Sequence, residues 1–185
     1  MARSLKKLIA AVFCLVLLFE LSSCAVNTKS AEQTGFSMGS LVGIKLYGKT
    51  SEALENANLL AEVVKTDERI SKNYEGSDIY RVNSSGEHGE TVSVETYDEL
   101  RTVCDVYSDS HGKAAALSGA LTELWGFDTD EFRLPSEDEI LSAKEKCGDD
   151  KLIFGDGKKV YIPDGAKLNL GSAGKGIALD EAVKR

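Results

Sequence analysis

Residues Leu41-Val-Gly-Ile-Lys-Leu-Tyr47 alternate loosely between apolar and polar, which predicts a strand with one buried face. Behind it the period lengthens. Leu54, Ala57, Leu60, Ala61 and Val64 recur at helical spacing, so a helix capped by Thr50 or Ser51 is expected to run to about Ile70. Residues 71–83 read as a loop followed by a short helical turn. A second helix fits residues 97–110, with Leu100, Val103, Cys104 and Tyr107 on one face and Gly112 as its stop. A third starts at Ser136, after Pro135, where Glu139 completes a capping box; it runs through Ile140, Leu141 and Ala143 toward Gly148. Leu152-Ile-Phe and Val160-Tyr-Ile flank Gly155-Asp-Gly-Lys, a hairpin signal. Pro163-Asp-Gly165 then turns the chain into a last strand, residues 167–170. A glycine-rich bend at residues 171–176 leads into a helix from Ile177, and Arg185 falls about two turns into it. Strands and helices mix without a regular βαβ rhythm, so the expected class is α+β.

The N-terminus carries a different pattern. Arg3, Lys6 and Lys7 precede an apolar run from Leu8 to Phe19, the layout of a secretory signal and too short for a membrane span. Leu21-Ser-Ser-Cys24 resembles the bacterial lipobox, in which the cysteine is lipidated. The expected organisation is a signal over residues 1–23, a tether over 24–33 and one folded body over 34–185, lipid-anchored outside the cytoplasm on a bacterial membrane. The body is long enough for one core and short for two. The chain's net charge is −8; with three cations and Glu20 the signal holds +2, which leaves −10 for the rest. Such an acidic surface argues against nucleic acid as a partner and offers no basic patch for anionic lipid. Of the four cysteines, Cys14 lies in the signal and Cys24 is the lipid site. Cys104 and Cys147 either pair or stay as buried thiols, and no CxxC or Cys/His zinc spacing exists.

Candidate chemistry concentrates in the final bend. It lacks the Walker A pattern, since Asn169 and Gly176 stand where that motif needs glycine and Ser/Thr. By composition it is either a phosphate loop or a tight turn into a helix, with Lys175 either neutralising a phosphate or merely solvated. His88 and His111 have no triad or metal-site spacing and receive no role. Trp125-Gly-Phe127 is expected to anchor the core, with a ligand-stacking wall as the alternative.

Four segments in order carry a stronger signal: Phe36-Ser-Met-Gly-Ser40, residues 71–83, Leu121-Thr-Glu-Leu-Trp-Gly-Phe127, and Leu168-Asn-Leu-Gly-Ser-Ala-Gly-Lys-Gly176. Together they resemble the ApbE family, the FAD:protein FMN transferases, over nearly the whole mature chain. The resemblance implies an ApbE-like (T-fold-like) mixed sheet with packed helices, incomplete in this chain. It implies FAD as substrate, Mg2+ as cofactor, and transfer of FMN to a threonine hydroxyl of a target flavoprotein with release of AMP. Members are commonly exported lipoproteins, in agreement with the signal. By position, Met38 and Tyr74 match residues that contact the flavin dinucleotide. Asn169 stands where an aspartate is frequent, and Lys175 matches a Glu-or-Lys contact. Ser172 falls on a position whose backbone carbonyl reaches the metal.

Two departures accompany the match. The family's Gly-x-Phe-Asp-x-Thr stretch is Gly112-Lys-Ala-Ala-Ala-Leu117 here, so only backbone contacts from Lys113, Ala114 and Ala115 are expected. The family's other magnesium ligands lie beyond Arg185, so this chain by itself is expected to be inactive. The alternative reading is a membrane-tethered flavin- or nucleotide-binding lipoprotein without transferase chemistry.

Overall fold

A computed structural model describes residues 29–48, 58–127, 129 and 131–184. The expected signal, Cys14, Cys24, residues 24–28 of the tether, the cap candidates Thr50 and Ser51, and Leu54 and Ala57 lie outside the described residues. In chain order the elements are β1 (Lys29–Ser37), β2 (Ser40–Gly48), α1 (Leu59–Ile70), α2 (Asp78–Ser85), β3 (Glu90–Thr91) and α3 (Val94–Asp109). Then follow α4 (Gly119–Trp125), α5 (Glu137–Lys144), β4 (Ile153–Gly155), β5 (Lys159–Tyr161) and α6 (Gly174–Val183). The class is α+β, as expected. Among the described residues no helix is long and apolar enough to cross a membrane.

The chain divides into two compact units: Met1–Glu32 with Lys45–Ala57, and Gln33–Ile44 with Asn58–Arg185. The described part of the first consists of strand ends, where Lys45 Nζ sits 5.6 Å from the centroid of the Tyr47 ring. Everything below concerns the second.

β1 and β2 form a two-stranded sheet whose connecting turn is Met38 and Gly39, at φ 52° and 67°. Positive φ at both central residues is what a two-residue turn needs to match strand twist, and glycine accepts it freely. Met38 does not: a side chain in the left-handed region costs about 1–2 kcal/mol. The second sheet has the order β3-β5-β4, both pairs antiparallel, with Val160 of β5 opposite Glu90 and Phe154. This is the hairpin expected around residues 155–158.

Side-chain caps fix three of the six helix starts among the described residues. The capping box is present: Ser136 Oγ accepts the Glu139 N–H, and the Glu139 carboxylate accepts the Ser136 N–H at 2.8 Å. Ser93 accepts the Thr96 N–H at 3.2 Å, so α3 starts at Val94, ahead of the expected residue 97. Ser77 accepts the Tyr80 N–H at 2.9 Å and makes α2 a two-turn helix instead of a short turn. Gly112, at φ 78°, stops α3 as expected, donating its N–H to Tyr107 O at 2.8 Å. α5 ends at Lys144, short of Gly148, where Lys151 Nζ donates to the carbonyls of Glu145 and Cys147.

The core gathers Ile79, Val82, Leu100, Leu117, Val160 and Leu168, all fully enclosed. A smaller cluster of Val63, Ala178 and Ala182 joins α1 to α6. Two expectations change here, and the alternative left open for the cysteines is decided. Residues 167–170 form no strand, because their polar backbone is taken by non-strand partners: Asn83 Nδ2 donates to Leu168 O at 2.9 Å, and Asn83 Oδ1 accepts the Leu168 N–H at 2.7 Å. Trp125 is only half-buried and Phe127 is 62% exposed; their rings stack at 5.9 Å on the surface instead of anchoring the core. Gly126, at φ 70°, allows that bend. Cys104 and Cys147 are free, half-buried thiols. Burial, with Asp149 nearby, pushes Cys104 up to about 11.

Candidate functional site

The site is built on two segments that lie side by side, the bend at residues 116–119 and the irregular stretch at residues 167–169. Gly119 N–H donates to Lys167 O at 2.8 Å, and Asn169 N–H donates to Ala116 O at 2.7 Å. Asp149 fixes the first segment from beneath: its carboxylate accepts the Ala116 N–H at 2.9 Å and the Leu117 N–H at 2.6 Å. The Asp149 residue is only 2% exposed. Burial raises its pKa, and the two N–H donations work in the opposite direction without reversing the balance. Asn83 grips the second segment through Leu168, as above. Neither segment is a strand, yet together they form the floor of the site.

Beyond that floor the chain bends. Asn169 Oδ1 accepts the Gly171 N–H at 2.9 Å, closing a single 3-10 turn at Leu170–Ser172, and its Nδ2 donates to Thr122 Oγ1 at 3.1 Å. α6 then opens at Gly174 with no side-chain cap, so its first N–H groups have no side-chain acceptor. A methyl group added to Gly176 would meet no atom within 4 Å, so the Gly176 side of this first turn faces open space, while Gly174 packs toward Ile70.

Two cavities open on this bend. One, about 350 Å³, is lined by Met38, Asp67, Lys72, Asn73, Asn169 and Lys175, among others. The other, about 680 Å³, is lined by Tyr107, the 112–115 segment, Lys144, Cys147 and Ser172, among others. Asn169 and Gly171 belong to both walls. Lys72 and Lys175 line the first cavity, Lys113 and Lys144 the second, and among the described residues Asp67 is the one acidic residue in either lining. In an acidic chain this is a local reversal of charge, suited to an elongated anion.

The expected contacts divide accordingly. Met38, Asn169 and Lys175 meet in the smaller cavity; Lys113, Ala114, Ala115, Asn169 and Ser172 meet in the larger. Tyr74 lines neither and is 55% exposed, its ring close over Gly76. Within the 113–115 segment, Lys113 N–H donates to Ser110 O at 3.4 Å and Ala114 N–H to Ser110 Oγ at 3.1 Å. Leu117, where the family has a hydroxyl, is part of the core. Burial raises the pKa of the Cys147 thiol, which disfavours its thiolate. Cys24 lies outside the described residues. Among the described residues no group of three His, Cys, Asp or Glu side chains could hold a metal ion.

Asp67, Asn83, Thr122 and Asp149 hold the site together and were not singled out from the sequence. Asn83 closes a segment the sequence did flag, but nothing local names its partner.

The ApbE family model matches residues 38–185. Among solved structures, the ApbE protein of Thermotoga maritima is similar at 28% identity and a TM-score of 0.78, over 84% of this chain and 52% of that one. The Pseudomonas stutzeri flavinyl transferase ApbE, in its apo form, superposes with a TM-score of 0.72 at 24% identity, over 85% of this chain and 53% of that one. The flavin transferase ApbE of Vibrio cholerae gives 0.70 at 22% identity, again over 85% and 53%. This chain therefore spans about half the length of the solved structures it matches. No curated protein matches it.

Proposed function

The chain belongs to the ApbE family, and from that premise we propose that it supplies the dinucleotide-binding portion of an FAD:protein FMN transferase. The observation that carries the reading is the shared wall: Asn169 and Gly171 border both cavities, so one ligand can occupy both lobes across the bend. A dinucleotide has that shape, two aromatic ends joined by a diphosphate. The uncapped first turn of α6 favours an anion by its N–H groups and dipole. Lys175 adds a full charge beside it. Met38 offers a thioether to a flat ring, and Tyr74, exposed and next in sequence to Asn73 of the smaller cavity, is free of the core to turn toward one.

The reaction of such an enzyme is attack of a threonine hydroxyl of a target flavoprotein on the FMN-side phosphorus, with AMP leaving. Magnesium supplies charge neutralisation to that chemistry when bound. The described residues do not fit the ion unaided. Ser172 would offer one carbonyl, whereas magnesium demands near-octahedral oxygen ligation. The share of this chain is binding and orientation: it holds the diphosphate against α6 and excludes water along the floor. We expect residues 1–185 by themselves to bind FAD without transferring FMN. The same loss of side chains at Ala114, Ala115 and Leu117 favours the second reading, a flavin-holding lipoprotein without chemistry. The lipid anchor at Cys24 and an extracytoplasmic location remain part of the proposal.

Flavin fluorescence titration tests it. FAD emission should quench on binding, and Lys175→Gln should weaken affinity about tenfold, the worth of one charge-assisted contact. Absence of quenching at high protein concentration would remove both readings. Efficient flavinylation of an acceptor domain by this chain with magnesium would overturn the binding-only assignment.

A further inference from the structure

Asp67 occupies the last turn of α1, where a carboxylate meets the negative end of the helix dipole, so helix stability does not account for it. Its side chain reaches the hairpin instead. Oδ2 accepts the Met38 N–H at 2.6 Å and the Ser37 hydroxyl at 2.9 Å. The turn so held is under constraint, since Met38 sits at φ 52°. Met38 packs against both hydrophobic clusters and lines the smaller cavity beside Asp67, Asn169 and Lys175. A strained residue in a cavity wall, pinned through its own backbone by a carboxylate of the same wall, is a device for setting where the side chain points.

We infer that Asp67 is a positioning residue of the flavin site: its carboxylate fixes the Met38 backbone so that the methionine forms one wall of the cleft. The inference rests on the flavin reading above. Contact with the ligand belongs to Met38, and Asp67 acts through it.

The chain has two methionines, Met1 and Met38, so methyl-labelled methionine gives two NMR signals and Met38 can be followed with or without ligand. In the full chain, Asp67→Ala should move the Met38 methyl toward the position of a solvated methionine and weaken FAD binding about tenfold. Asp67→Asn keeps an acceptor oxygen and should restore both. In a Met38→Ala background, Asp67→Ala should add less than about a twofold loss, because the two act on one contact. Three results overturn the proposal: an unmoved methyl, a moved methyl with unchanged FAD affinity, or penalties that add in full. If FAD perturbs neither the methyl nor the fluorescence of the unmodified chain, the flavin reading fails instead. The role of Asp67 then stands or falls on the Met38 methyl of Asp67→Ala.

Discussion

Replacing Asp149 by alanine strips the acceptor from two N–H groups at once. Ala116 and Leu117 are both fully enclosed, and their N–H groups lie 2.9 and 2.6 Å from the two carboxylate oxygens. Each N–H left unpaired in the interior costs about 1–3 kcal/mol. Removing a buried carboxylate returns part of its desolvation, so the net loss should be about 3–4 kcal/mol. That is a large share of a domain's usual stability of about 5–15 kcal/mol. With a urea m-value of about 2 kcal/mol/M, the unfolding midpoint followed by circular dichroism should fall by about 1.5–2 M, with m unchanged. Asp149→Asn keeps one acceptor but turns an NH2 toward the other donor, so about half the loss should remain. The pH trend adds a second check. Burial raises the Asp149 pKa, so its contribution is fullest below the unfolded value of about 3.9 and declines as pH rises through the raised one. The deficit of the alanine variant should therefore not shrink in acid. A loss below about 1 kcal/mol, or an asparagine variant as stable as the unmodified chain, would refute the claim that these two bonds hold the floor.

Asp78 should behave in the opposite sense. Burial works to raise its pKa, but hydrogen bonds from Ser93 and Thr96 and the charge of Arg81 outweigh it and leave the pKa lowered. Its stabilisation is present above about pH 4 and lost as pH falls through the lowered value, so the gap between the unmodified chain and Asp78→Asn should close in acid unfolding series. Gly119→Ala tests the floor sterically. A Cβ there would lie 2.7 Å from Lys167 O and 2.6 Å from Lys167 Cβ. The two segments must separate, which should cost about 1–3 kcal/mol in thermal unfolding and weaken FAD binding through the shifted bend. A variant that melts and binds normally would show that the segments are not rigidly joined.

The local grammar of the chain was legible. The capping box at Ser136 and Glu139 and the hairpin turn at residues 155–158 rest on neighbours a few positions apart, where side-chain chemistry and backbone geometry decide without help. The loop before α2 and the stop at Gly112 were read for the same reason. The glycine-rich bend at residues 171–176 was also visible, because Gly171, Gly174 and Gly176 punctuate the chain just where a helix begins. What the sequence could not supply were partners. Residues 167–170 have the composition of a strand, but a strand is defined by what runs beside it. Here Asn83, 85 residues away from Leu168, takes both backbone groups. Asp67 reaches Met38 across 29 residues, and Asp149 reaches Ala116 across 33. Trp125 and Phe127 look like core residues by size, yet the sharp bend at Gly126 turns them on each other at the surface.

Residue types and spacing thus determined several elements, the cap at Ser136 and the family. Only the tertiary structure decided which carboxylates became braces and that one bend walls two cavities. Hydrogen bonds between distant residues depend on where the whole backbone comes to lie, and no local pattern encodes that.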